Sequence, residues 1–147
     1  MSLHQRALRC LALREHSRAE LARKLAGLGS AEDIDAELDR LVELGLLSDA
    51  RFAEAFVRSR GARFGLGRLR GELARRGVEP ELIRASLGAG CAESEIDRAR
   101  EIQRRKFAAA PADAREWVRQ ARFLQGRGFS AEIIRSVLKE QPGDEPA

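Results

Sequence analysis

The chain has 147 residues, 44% hydrophobic and 34% charged, with a formal net charge of +4. It is too apolar to be disordered and too charged to be a membrane protein, and no apolar run approaches the ~20 residues that span a bilayer. The opening MSLHQRALRC lacks the basic-then-apolar layout of a signal peptide, so a cytoplasmic protein is expected.

Of the 27 basic residues only Lys24, Lys106 and Lys139 are lysines. Arginine's planar fork suits phosphates and carboxylates. The charge is also uneven: residues 1–47 carry 7 basic and 8 acidic groups, residues 48–90 carry 9 and 5, and residues 91–147 carry 11 and 10. A basic middle between near-neutral flanks points to a polyanion or acidic-surface contact there.

Helical periodicity recurs along the chain, whereas no window alternates with period two. Leu3, Ala7, Leu8 and Leu11 form a first stripe. Ser17 and Glu20 make a capping box before Leu21 and Leu25, and Ser30 caps a third helix with Ile34, Leu38, Leu41 and Val42 inward, ending near Gly45. Ser48 or Asp49 starts a fourth helix whose apolar face is Phe52, Ala53, Phe56 and Val57. Beyond Gly61, Gly65 and Gly67 the pattern resumes through Leu66, Leu69 and Leu73 to Gly77, and Pro80 opens a short sixth helix closed by Gly88 and Gly90. Three more are predicted, near 93–107, 112–126 (opened by Pro111) and 131–140, before a frayed tail, 141–147.

Those segments repeat. GVEPELIRASL (77–87) and GFSAEIIRSVL (128–138) share Gly, Glu, Ile, Arg and Leu at the same spacing, and Leu73 and Leu124 keep that offset upstream. The first module matches more loosely, through Leu25 and Ile34. The expected fold is all-α: three tandem three-helix repeats, 1–47, 48–90 and 91–140, forming an elongated, curved array, because units this small must stack to bury enough core.

Catalytic chemistry is missing from the pattern. GARFGLG and GLGRLRG lack the lysine and hydroxyl of a phosphate-binding loop, and no strand precedes them. Carboxylates sit in charged helical faces beside basic residues, as Glu20 and Lys24 do at i,i+4. Cys10 and Cys91 make neither a disulfide framework nor a metal site. His4, Cys10 and His16, six residues apart, diverge on a helix by ~600° of rotation. A non-enzymatic protein with no metal, no cofactor and no catalytic residue is expected.

Residues 16–49 also read as a sequence-specific helix-turn-helix regulator. Against that alternative, the would-be recognition helix carries Glu32, Asp33, Asp35, Glu37, Asp39 and Glu43 against Arg40 alone, which phosphates would repel. Another helix also follows GLL where a wing should stand.

Three ordered segments carry a closer resemblance: RALRCLALREHSRAELARKL (6–25), GLLSDARFAEAFVRSRGARFGLGRLRGELARRGV (45–78) and RFLQGRGFSAEIIRSVL (122–138). With their spacers they cover about residues 6–138, and the chain resembles the RecX family of bacterial regulators of the RecA recombinase. That resemblance implies three-helix repeats and a protein that binds RecA and RecA–DNA filaments, lying in the filament groove and restraining filament extension, ATP hydrolysis and strand exchange. It implies direct, sequence-independent DNA contact. Residues 92–119 show no strong family signature.

A groove binder needs cations toward nucleic acid and a complementary face toward the recombinase. The candidate cations are Arg51, Arg58, Arg60 and Arg63, then Arg68, Arg70, Arg75 and Arg76, then Arg104, Arg105 and Lys106, then Arg119, Arg122 and Arg127. Phe52 and Phe56 are expected in the core. Asp33, Glu37 and Glu43 are candidate recombinase contacts. A monomer that touches no membrane is expected.

Overall fold

Helices begin where a side chain can satisfy the first-turn N–H groups. The computed structural model describes residues 1–88 and 92–139, and among them are nine α-helices and no strand. These are α1 (Leu3–Leu13), α2 (Arg18–Leu25), α3 (Ala31–Glu43), α4 (Asp49–Arg60), α5 (Leu66–Arg75), α6 (Pro80–Leu87), α7 (Ala92–Lys106), α8 (Ala114–Gly126) and α9 (Ala131–Leu138). Ser2 and Ser17 form capping boxes with Gln5 and Glu20, while Ser30 and Ser130 accept from the N3 amides of α3 and α9. Ser48 caps α4 through the Arg51 amide at 3.2 Å. The start of α8 differs from expectation: Asp113, not Pro111, opens it, since its carboxylate accepts the Glu116 amide at 2.8 Å. Cys91, Gly90 and the tail expected at 141–147 lie outside the described residues.

Three helix ends close in the same way. At Gly45, Gly77 and Gly128 the chain turns left-handed, with φ of 73°, 83° and 99°. The following amides return to the carbonyls of Leu41, Leu73 and Leu124 at 2.9, 3.1 and 3.2 Å. This is the glycine helix stop in which the residue after glycine satisfies a last-turn carbonyl. The spacing shared by Gly77 and Gly128 is thus a shared turn, and Val78 and Phe129, which follow them, are buried at 4% and 3% exposure.

The chain divides into two compact units that do not follow the repeat in sequence. One takes Met1–Val57 and Glu72–Ser86; the other takes Arg58–Gly71 and the described residues from Leu87 onward. Helices α4 and α5 therefore contribute to both. In the first unit α1, α2 and α3 pack mutually over Ala7, Leu21, Leu25, Ile34, Leu38, Leu41 and Leu47. In the second, α9 packs on α7 and α8 over Ala99, Ile102, Leu124, Phe129, Ile134 and Leu138.

Each unit holds one copy of the same junction. In the first, the Ser17 hydroxyl donates to the Arg76 carbonyl at 2.7 Å and Arg23 to the Arg75 carbonyl at 3.2 Å. In the second, the Gly65 amide donates to the Arg127 carbonyl at 2.7 Å and Arg68 to the Gly126 carbonyl at 3.1 Å. The acceptors are repeat equivalents, 75 with 126 and 76 with 127. The start of one repeat's second helix thus caps the end of the next repeat's second helix, which supplies partners for carbonyls that a helix leaves orphaned.

Glycine is required at this junction for space as well as conformation. A Cβ on Gly77 would stand 2.5 Å from the Ala19 Cβ, whereas one on Gly27, with φ of 84°, meets nothing within 4 Å. Gly27→Ala is expected to cost about 1 kcal/mol from the left-handed backbone alone. Gly77→Ala is expected to cost about 1–3 kcal/mol more for the added overlap. Urea unfolding of the two variants measures the difference, and equal losses would contradict the close approach.

Candidate nucleic-acid interface

The candidate cations separate into two chemical settings, one in each unit. In the first unit Arg51 and Arg76 are paired internally, while Arg75 is exposed. Glu20, 9% exposed, accepts Arg14 at 3.2 and 3.1 Å, Arg76 at 2.9 Å and the Ser17 amide at 3.1 Å. Arg76 also lies 5.0 Å from the centroid of Phe56, and Phe56 stands 5.9 Å from Phe52. Both rings are in the core, at 6% and 3% exposure. The pairing of Glu20 with Lys24 expected from their spacing does not form. Lys24 turns instead to the Nε2 atom of His16 at 2.8 Å, because the two arginines offer Glu20 forked, charge-assisted donors. Arg51 pairs with Glu15 at 3.1 Å.

An ammonium can only donate, so His16 accepts Lys24 at Nε2 and carries its proton at Nδ1, which donates to the Arg14 carbonyl at 3.0 Å. Burial, the largest influence, lowers the His16 pKa from its usual 6.5, with the positive charges of Arg14 and Lys24 adding to it. For Glu20, burial works against the charge, but the Arg14 and Ser17 hydrogen bonds and the Arg14 and Arg76 charges outweigh it. Its pKa is held below the usual 4.5.

Both shifts destabilise the fold in acid. Below pH 6.5 the unfolded chain protonates His16 before the folded one does, so stability falls from there until the folded imidazole titrates. The Glu20 contribution is complete above pH 4.5 and is lost as pH falls through the lower folded value. Urea unfolding at pH 7.5, 6, 5 and 4 is expected to show two stages of loss, and His16→Gln is expected to remove the first. A flat profile from pH 7.5 to 5 would refute the assignment.

In the second unit the cations gather around phenylalanine rings. Arg63, Arg68 and Arg127 lie 5.8, 4.0 and 5.4 Å from the Phe64 centroid. Arg127 and Lys106 lie 5.1 and 5.7 Å from Phe123, which meets Phe107 edge-on at 5.3 Å, and Arg119 stands 5.4 Å from Phe107. Rings attract cations through their faces, so they can hold guanidinium groups at the surface without neutralising them. Arg119 and Arg105 pair with Glu116 and Glu101 along their own helices, but among the described residues Arg63, Lys106 and Arg127 make no ion pair. Ala62, Arg63, Ile102, Arg105, Lys106, Phe123 and Arg127 line a shallow cleft of about 190 Å³.

Backbone contacts fix this surface. Arg127 donates to the Arg63 carbonyl at 3.3 Å, and Arg98 donates to the Gly61 carbonyl at 2.7 Å and to the Phe64 carbonyl. Glu95 accepts the Leu66 amide at 2.8 Å and Arg98 at 2.8 Å. The loop that presents Arg63 and Phe64 is therefore pinned by α7 and α8.

The structure thus brings together Arg63, Arg68, Lys106, Arg119 and Arg127, with Arg105 in the cleft wall. Arg104 and Arg122 are exposed on α7 and α8, Arg70 lines a separate cleft with Gln125 and Ser130, and Arg58 and Arg60 end α4. Arg75 and Arg76 belong to the first unit, where Arg76 is committed to Glu20. Of the acidic candidates, Asp33 and Glu43 are exposed. Glu37 turns inward to His4 Nδ1, with its side chain 11% exposed. Sequence reasoning missed the supporting rings, although Arg63–Phe64, Lys106–Phe107 and Arg122–Phe123 are all basic–Phe pairs.

The fold and this surface define an all-helical protein of tandem three-helix domains. Three family models match it: the first, second and third three-helix domains of RecX, over residues 4–41, 48–87 and 93–138. A regulatory protein RecX of Leptothrix cholodnii is 49% identical over 95% of this chain and 88% of its own length. One of Herbaspirillum seropedicae is 48% identical over 95% and 90%. The crystal structure of RecX from Lactobacillus salivarius superposes with a TM-score of 0.76 over 93% of this chain and 92% of its own, at 19% identity. The chain belongs to the RecX family of regulatory proteins. No helix among the described residues is long and apolar enough to cross a membrane.

Proposed function

We propose that the chain regulates RecA by binding RecA–DNA filaments as a monomer and restraining their extension, ATP hydrolysis and strand exchange. Family membership supports the regulatory role. The observation that carries the mechanism is the set Arg63, Lys106 and Arg127, stacked on Phe64 and Phe123 and paired with no described carboxylate. Cations presented in this way contact phosphates, which fix position without reading sequence. Phe64 and Phe107 are buried, each at 9% exposure, and so hold arginines rather than stack bases, while Phe123 is half-buried.

The sequence-specific alternative draws no support from α3, whose exposed face carries Glu32, Asp33, Asp35, Asp39 and Glu43. The deciding experiment is RecA's DNA-dependent ATP hydrolysis at rising concentrations of the chain. Progressive slowing, with the same effect on unrelated DNA sequences, is expected. Unchanged hydrolysis at saturating protein would refute the proposal.

A further inference from the structure

The cleft between the turn at 61–63, α7 and α8 has a feature that a phosphate contact alone does not need. Arg63, Arg105, Lys106 and Arg127 wall it, and among the described residues no carboxylate lines it. Arg105 is paired with Glu101 at 3.2 Å, while the other three cations make no ion pair with a described residue. The rest of the lining is apolar. Ile102, 6% exposed, and the half-buried ring of Phe123 form the floor, and the exposed Ala62 stands at the rim. A phosphate gains nothing from such a floor, because losing its water there costs free energy. Cations around an aromatic floor suit an anion that carries a flat ring, as a nucleotide does.

Size and rigidity narrow the occupant. The cleft holds about 190 Å³, the liquid volume of about six water molecules, which is room for one base and not for a base pair. Its walls are already set. Arg127 donates to the Arg63 carbonyl at 3.3 Å, Arg98 donates to the Gly61 carbonyl at 2.7 Å on the other side of Ala62, and Phe107 braces Phe123 edge-on at 5.3 Å. A preformed site binds without the entropy of ordering it. Lys106 and Arg127, 5.7 and 5.1 Å from the Phe123 centroid, share that ring, and guanidinium planes stack on bases as aromatic rings do. In a duplex each base face is covered by its neighbours, so only an unpaired base can enter.

We propose that this cleft receives one unpaired base of a DNA strand, with the adjoining phosphates on Arg63, Lys106 and Arg127. The proposal rests on the phosphate contact argued above and adds a contact to the base. The test is fluorescence anisotropy of the full chain with a labelled thymine oligomer and with an abasic oligomer of the same length, which carries the same phosphates. The wild type is expected to bind the thymine oligomer more tightly by about fivefold or more, as one stacked base contributes. Ala62→Leu fills the rim and keeps every cation. It is expected to bring the two affinities within twofold of each other, with the slope of log affinity against log salt unchanged. Ala62→Val is expected to narrow the gap by less, and Ala85→Leu, exposed on α6 in the first unit, to leave it as in the wild type. Thermal unfolding should be unchanged in all three, since both alanines are exposed. Equal wild-type affinity for the two oligomers, or a preference that survives in a folded Ala62→Leu variant, would overturn the base cleft alone. A wild-type chain that binds neither oligomer would overturn the phosphate contact and this proposal with it.

Discussion

Replacing Glu20 by glutamine is expected to lower the unfolding free energy of the chain by about 3 kcal/mol, and its melting temperature by about 10 °C. Glu20 is the common acceptor of Arg14, Arg76 and the Ser17 amide, and its side chain is 10% exposed. Glutamine keeps the shape and one carbonyl acceptor but removes the charge, so two guanidinium groups must share a neutral oxygen. Breaking a buried pair from one side costs about 3–5 kcal/mol. The lower end applies here because Arg14 and Arg76 are themselves 46% and 31% exposed and water recovers part of the loss. The effect should extend past α2, since Arg76 stacks on Phe56 and its carbonyl receives the Ser17 hydroxyl. Calorimetry of Glu20→Gln beside Glu15→Gln, whose exposed pair with Arg51 is worth about 1 kcal/mol or less, separates this keystone from an ordinary surface bridge. Equal losses in the two variants would contradict it.

The helices were legible because their signals are local. Ser17 with Glu20, Ser30 and Pro80 start helices by hydrogen-bond geometry and fixed φ that depend on no distant residue, and Gly45 and Gly77 end them by a backbone conformation other residues resist. The repeat was legible for the same reason, since Gly77 and Gly128 mark one turn used twice. The Glu20 pairing was not. Spacing brought Lys24 within reach, but Arg14 comes from α1 and Arg76 from 56 residues away, and only the fold decides which cation a buried carboxylate meets. The candidate site was legible as a set of cations but not as an arrangement. Counting charges treated Arg76 and Arg63 alike, whereas one neutralises a buried acid and the other rides on an aromatic ring. Recurrent basic–Phe pairs were the available sign of the second kind. Adjacent residues on a helix point to different faces, however, so Lys106 comes to sit over Phe123 rather than over its own neighbour Phe107.

That distinction makes the strongest functional prediction selective. Arg63→Gln, Lys106→Gln and Arg127→Gln together remove three ring-held charges from the second unit, and none of the three makes an ion pair with a described residue. If each neutralises one phosphate, the slope of log affinity for duplex DNA against log salt should fall by about 3 in the triple variant. The concentration needed to half-inhibit RecA's ATP hydrolysis should rise by about tenfold or more at physiological salt, where such contacts supply most of the affinity. Arg51→Gln supplies the contrast: it removes a basic residue of the same sequence class, but one already bound to Glu15 in the first unit. Its salt slope and inhibition should match the wild type. Circular dichroism should show intact helicity in both variants, because none of the four side chains fills the core. A triple variant with unchanged slope and full inhibition would refute this surface as the phosphate contact. An Arg51→Gln variant that loses as much would show that net charge, rather than its arrangement on rings, sets the interaction.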